Sequence, residues 1–246
     1  MKNQRKLVGV LGIVGLTTLL TACPGPYNPP PPSVVFGLTL PSEAAGFTNL
    51  RAAFFWQDPQ GTSHVVGDGY VNTSGGATQG GLYIDQQQLE QLAQNPDFAV
   101  PFAVDGSPSG EAFGKTNLRV SAPGIRSGVL YPVVWQDVDG NNTISGESEI
   151  VYQTNDRFGY ASAPFSYSFD LPGKYGPDKN KAASERGNRT EGWSRLRHVV
   201  LDPSVNAGEA PSAYQISMNS VTEKTFVMRK DSEYASSLSL NPKGSQ

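Results

Sequence analysis

Apolar positions along this chain come in short runs, not at the spacing of long amphipathic helices. The first run is Val34-Val35-Phe36-Gly37-Leu38-Thr39-Leu40, ended by Pro41; the second is Ala52-Ala53-Phe54-Phe55-Trp56, ended at Asp58-Pro59. Val65-Val66 and Tyr70-Val71 follow, close to Gly75-Gly76 and Gly80-Gly81, which read as turns. Leu118 to Val120, Val129 to Trp135, Glu149 to Tyr152, Phe165 to Leu171, Arg197 to Leu201 and Ala213 to Met218 are further strand segments. Short strands punctuated by Gly, Pro, Asn and Asp predict an all-β fold, an antiparallel β-sandwich or a barrel. One short helix is expected. Asp85 followed by Gln88 has the form of a capping box, Leu89, Leu92 and Ala93 give one apolar face, and Asn95-Pro96 stops it.

Two segments resemble each other at an offset of 79 residues, Ala53 to Gly61 and Pro132 to Gly140; each is an apolar strand ending in Trp-Gln-Asp before a Gly-bearing turn. The domain therefore reads as one unit over 34–228, or as two related halves, 34–105 and 115–228. Residues 172–197 lack apolar periodicity and carry seven Lys and Arg against three acids, which predicts a basic surface loop. Residues 229–246 read as a flexible tail.

Composition agrees with this picture and adds an address. The 246 residues include 27 Gly and 19 Pro, and aromatics reach 10% while charged residues are only 17%. Such a profile suits turns and aromatic-bearing strands. The single Cys excludes an internal disulfide and a Cys-rich metal cage. It stands at position 23, after a basic stretch (Lys2, Arg5, Lys6) and an uncharged apolar run from Leu7 to Leu20. That run is shorter than the roughly 20 residues a transmembrane helix needs, and reads as an export signal over 1–22. Leu20-Thr21-Ala22-Cys23 resembles the lipobox of bacterial lipoproteins. The resemblance implies cleavage before Cys23, acylation of its sulfur (palmitate or a similar chain) and of its new amine, and a membrane anchor. Pro24 stands where enteric lipoproteins carry the Asp that retains them at the inner membrane, so the outer membrane of the cell envelope is favoured. Residues 23–33 then form an acylated Cys and Pro-rich linker, a polyproline spacer. Loss of residues 1–22 takes Lys plus Arg from 19 to 16 against 22 Asp plus Glu, and the net charge from −3 to −6. A broadly basic nucleic-acid surface is not expected.

One constellation carries site chemistry. Residues 137–149 read DVDGNNTISGESE, with Asp137, Asp139, Asn141, Thr143 and Ser145 at every second position and Glu147 and Glu149 beyond. Calcium asks for six to eight oxygens at about 2.3–2.6 Å, and a coiled loop with oxygen donors at this spacing supplies them. The series resembles an EF-hand-type calcium loop that follows a strand. It departs where Gly is usual (Asn142) and where a bidentate Glu is usual (Ser148). The other reading is an acidic β-turn built of good turn formers. Strand, Trp-Gln-Asp-x-Asp-Gly-Asn and an acidic exit over Ser127 to Asp156 are also similar to the calcium-loop strands of prealbumin-like β-sandwich domains in bacterial envelope proteins. That resemblance implies a prealbumin- or Ig-like sandwich and a structural calcium ion, with no substrate.

Enzymatic signatures are missing. His64 and His198 have no metal-ligand spacing, Gly106-Ser107-Pro108-Ser109-Gly110 has Pro at the nucleophile position, and no phosphate loop carries its Lys. Trp193, Arg195 and Arg197 alternate, and such a face can grip carboxylates, phosphates or sugars. The expectation is a non-catalytic envelope lipoprotein, a structural or binding module stabilised by calcium. The alternatives are a module for glycans or anionic ligands that uses the basic 172–198 segment, and an exported hydrolase with scattered residues.

Overall fold

In a computed structural model, the described residues are 33–76, 78–102, 116–141, 144, 149–175, 181–201 and 213–230. The signal, Cys23, the proline linker and residues 231–246 lie outside them. Among the elements described in full the fold is mostly β with a single α-helix. The first strands are β1 (Ser33–Thr39), β2 (Leu50–Gln57), β3 (Ser63–Val66), β4 (Asp68–Asn72) and β5 (Gln79–Asp85). Helix α1 (Gln86–Gln94) and the short β6 (Val100–Pro101) follow. Then come β7 (Thr116–Val120), β8 (Arg126–Gln136), β9 (Ile150–Gln153), β10 (Arg157–Ala161), β11 (Phe165–Tyr175) and β12 (Lys181–Arg189). The last are β13 (Gly192–Leu201), β14 (Tyr214–Val221), β15 (Thr225–Val227) and β16 (Arg229–Lys230).

These strands form one large sheet in the order β15-β1-β5-β4-β2-β8-β10-β13-β14-β12-β11-β7, with β3 on β2, β6 and β9 on β8, and β16 on β9. The antiparallel expectation needs correcting at two ladders. β1 runs parallel to β15, and β12 parallel to β14. The second arises because β14 inserts between β12 and β13, which are consecutive in sequence yet not neighbours. The short link between them crosses the end of β14, where Ser220 Oγ accepts from Thr190 N at 3.0 Å. Gly80-Gly81 is also corrected from a turn to the buried interior of β5.

The long strand β8 joins two parts of the sheet. Its first residues pair with β10 (Leu130 with Phe158) and its last with β9 (Val133 with Gln153) and β2 (Val133 with Ala53). Pro132 has no N–H to give to a ladder, and it sits where β10 stops and β9 begins. Arg157 fills the irregular joint between them. Its Nη1 donates to Thr154 O at 2.6 Å and Asp156 O at 3.1 Å, and its guanidinium lies 4.3 Å from the Tyr131 ring centre.

The sheet curls. Four strands separate β1 from β10, yet the Phe36 and Phe158 rings meet edge-on at 4.8 Å. Arg195 of β13 lies 5.3 Å over the Phe226 ring of β15. The first core forms inside this curl from Phe36, Leu38, Phe54, Trp56, Leu82, Ile84, Leu130, Val134, Phe158 and Phe226. Helix α1 caps it with Leu89 and Leu92. Asp85 starts that helix as the sequence predicts, with Oδ1 accepting from Gln88 N at 2.7 Å. The second core lies under β10 to β12 and β14, with Phe102, Ile125, Phe165, Tyr167, Phe169, Val200, Tyr214 and Ile216.

Candidate functional site: a polar sheet face and a buried charged network

The basic 172–198 segment is strand, not loop, over most of its described length, and 176–180 lie outside the described residues. The alternation that a strand imposes explains why hydropathy failed to reveal it. Across β12 the inward positions Ala183, Glu185, Gly187 and Arg189 are buried, while Arg186 and Asn188 are exposed. Polar residues occupy both faces, so no period-2 hydrophobic signal survives.

Register places the outward residues in rows. Arg119, Ser168, Arg186 and Ser217 lie side by side on β7, β11, β12 and β14. Ser166, Asn188 and Asn219 form the next row, continued by Arg197 on β13. The Asn219 side-chain oxygen accepts from Asn188 N at 3.0 Å and from its Nδ2 at 3.3 Å, so the row is tied together. Ser166, Arg186, Asn188, Ser217 and Asn219 line a hollow of about 300 Å³. Chemically this is a rigid face of hydroxyls, amides and guanidinium groups. It can hydrogen-bond a polar ligand and neutralise an anionic one.

Trp193, Arg195 and Arg197 do not form the single exposed grip that their alternation suggests. Trp193 packs against Phe98, Phe158 and Tyr160 at 5.6, 5.0 and 5.5 Å. Arg195 is buried and bonded to the Asp156 carboxylate, whose other oxygen accepts from His198 N at 3.0 Å. Only Arg197 reaches the outer face, 3.4 Å from Glu223 Oε1. The curl of the sheet covers the first two, which the sequence pattern could not reveal.

Beneath the polar face lies a charged network that the sequence reading missed. Glu185, Arg189, Arg157 and His198 are all buried. Tyr167 Oη donates to Glu185 Oε1 at 2.8 Å and accepts from Arg189 Nη2 at 3.3 Å. Gly187 makes room for this: a Cβ there would lie 2.5 Å from the Tyr167 ring and 2.3 Å from Met218 O. Burial pushes the Tyr167 hydroxyl well up and draws Arg189 down from their ordinary values. His198 is buried, and neither ring nitrogen has a partner among the described residues. Burial first, then the nearby Arg157 and Arg189 charges, lower it to about 3, so it is neutral. His64 is more ordinary, stacked on Trp56 at 4.4 Å and bonded to Asp58 Oδ2 at 2.9 Å.

Of the acidic series at 137–149, Thr143, Ser145 and Glu147 lie outside the described residues. Asp137 is buried at the end of β8, and its Oδ2 accepts from Arg51 Nε at 2.8 Å. Asp139 organises a turn, accepting from Asn141 N at 3.1 Å and Asn141 Nδ2 at 2.7 Å. Described residues alone hold no His, Cys, Asp or Glu group of metal-binding geometry. Asp137 thus has a structural role in pinning β8 to β2. The two Trp-Gln-Asp segments differ in setting. They lie on the paired strands β2 and β8, but Trp56 enters the first core and Trp135 a separate small cluster with Ala53 and Val133.

Comparison with known proteins gives no match to a family model, to a curated protein or to a solved structure.

Proposed function

We propose that this chain is a non-catalytic, lipid-anchored binding module of the bacterial cell envelope, built as a calcium-stabilised β-sandwich of prealbumin-like kind and presenting its polar sheet face to an anionic glycan. The observation that carries the binding role is the row-by-row array of Ser166, Arg186, Asn188, Ser217 and Asn219 around one hollow, with Arg119 and Arg197 at its margins. These side chains sit on strands, so the backbone that carries them is already ordered when a ligand binds and only side-chain freedom is lost. Arginine forks match carboxylates in two-point contacts, and hydroxyl and amide groups suit sugar hydroxyls. The lipobox and the proline linker at 23–33 support the anchor and hold such a face away from the lipid surface. The curl that brings β1 against β10 supports a two-layered core.

Two experiments test this reading. Cys23→Ser should move the protein from the membrane pellet to the soluble fraction, and an unchanged distribution would remove the anchor. Calorimetric titration with polygalacturonate should show binding that Arg186→Ala weakens about tenfold or more, since a charged hydrogen bond is lost. Equal binding by the variant, or none by the wild type, removes the anionic-glycan role.

A further inference from the structure

The opposite end of the sheet also exposes a face, and its chemistry is different. On β1, β5 and β4 the outward residues include Val35, Tyr83 and Tyr70, which are 56%, 42% and 62% exposed. Three large apolar side chains left in water on adjacent strands are unusual enough to require a reason. Register sets Val35, Tyr83 and Asp68 in one cross-strand row and Gly37, Gly81 and Tyr70 in the next. Both tyrosines are held down. The Tyr70 ring lies across Gly81 so closely that a Cβ there would be 2.6 Å from its Cε1 and 3.1 Å from its Cζ. Tyr83 Oη donates to Asp68 Oδ2 at 2.7 Å, which also raises the tyrosine above its ordinary pKa. On the far side, Thr225 lies over Gly37, where an added Cβ would be 3.3 Å from Thr225 Oγ1.

The two glycines therefore make a flat strip on which one aromatic ring lies, with a second ring pinned diagonally beside it. Diagonal positions on neighbouring strands are about 7–8 Å apart. Polar groups fringe the strip: Asp68 and Asn72 on β4, Gln79 on β5, and the partly exposed Arg51 on β2. The exposed Tyr70 ring lying on Gly81, with Tyr83 and hydrogen-bonding groups around it, matches a ligand that is apolar on its faces and polar on its rim. A neutral polysaccharide of equatorially linked pyranose rings has that character: each ring shows axial C–H groups on its faces and hydroxyls at its edge. A folded protein partner would ask for a deeper pocket or a larger apolar area than this strip supplies.

The geometry points to a second binding site on this face, the Tyr70–Tyr83 platform, for a neutral, equatorially linked polysaccharide. It does not rest on the anionic-glycan reading, because it uses other strands and no cation of the polar face. Calorimetric titration of the full chain with cellohexaose, and separately with the hexamer of β-1,4-linked N-acetylglucosamine, distinguishes plain from N-acetylated glucan. Binding of either is expected. Tyr70→Ala should weaken it about tenfold, while Tyr70→Phe retains most of it because the stacking face survives. Gly81→Ala is the sharper test. The three atoms nearest its methyl all belong to the far end of Tyr70, so the ring must lift while the backbone stays, and binding should fall as in Tyr70→Ala with little loss of thermal stability. No binding of either hexamer, equal binding by Gly81→Ala and wild type, or self-association that depends on Tyr70 in place of sugar binding would overturn the proposal.

Discussion

The two parts of the sheet place their polarity in opposite ways. Around β1, β2, β4 and β5 the interior is aromatic, with Phe36 and Phe54 in ring contact with each other and each with Phe158 and Phe226, and further aromatics are spent on the outer surface. Around β11, β12 and β14 the outer surface is Ser, Asn and Arg, and the interior holds Glu185, Arg189 and His198 beside its rings. An aromatic core is indifferent to pH and tolerates conservative swaps. A buried charged network is unforgiving, since removing one member strands the others in a medium that cannot solvate them.

The largest effect that separates the two regions is loss of one charge. Glu185→Ala leaves Arg189 without its counter-charge and Tyr167 without an acceptor, and should cost about 3–5 kcal/mol. Phe36→Ala in the other core should cost a similar ~3–5 kcal/mol through its cavity. Conservative variants then divide them. Phe36→Leu should recover most of the loss, whereas Glu185→Met, with shape but no charge, should not. Urea unfolding measures all four. Full recovery by Glu185→Met would mean that this network contributes no more than packing.

How much of this was legible in the sequence follows the same division. Where a strand is apolar on one face, as β1 is, or on both, as β2 and β8 are, the signal is clear, and β1, β2, β8 and β11 fall within a few residues of their expected positions. Helix α1 was legible because Asp85, Leu89 and Leu92 obey local rules of capping and period. Segment 181–197 was not. A strand with Glu185 and Arg189 inward and Arg186 and Asn188 outward has no hydrophobic alternation, and its charges look like a solvated loop until Tyr167 on another strand is placed beside them. Gly80-Gly81 was misread for a related reason. Glycine is a turn former by local rule, but here its lack of a side chain serves neighbours on other strands, Tyr70 among them. Both failures are non-local.

The intermediate effect is on pH. His198 is held near 3 when folded, against 6.5 in an unfolded chain. Below pH 6.5 the unfolded state takes up a proton that the folded state refuses, so stability falls as the pH falls, down to about 3. At pH 5 the loss should be about 2 kcal/mol, at 1.36 kcal/mol per pH unit. His198→Leu should flatten the profile between pH 6.5 and 5, and Phe36→Leu should leave its slope intact. A slope that survives in His198→Leu would place its origin elsewhere.

The smallest effect concerns the loop that leaves β8, the strand shared by both regions. Weak extracellular calcium sites have dissociation constants of about 10⁻⁴–10⁻³ M. At a few millimolar calcium the stabilisation is then about 1–2 kcal/mol, by mass action. Asp137→Ala is a poor probe of this, because it also breaks the bond to Arg51 and should destabilise the protein with or without the ion. Asp139→Ala is better placed, since Asp139 bonds within its own turn to Asn141. Wild type should melt higher in calcium than in EDTA, Asp137→Ala should melt lower in both, and Asp139→Ala should lose mainly the difference between them. If the calcium increment is absent from wild type, the acidic series is a turn whose buried member ties β8 to β2 through Arg51, and the ion pair serves the first region alone.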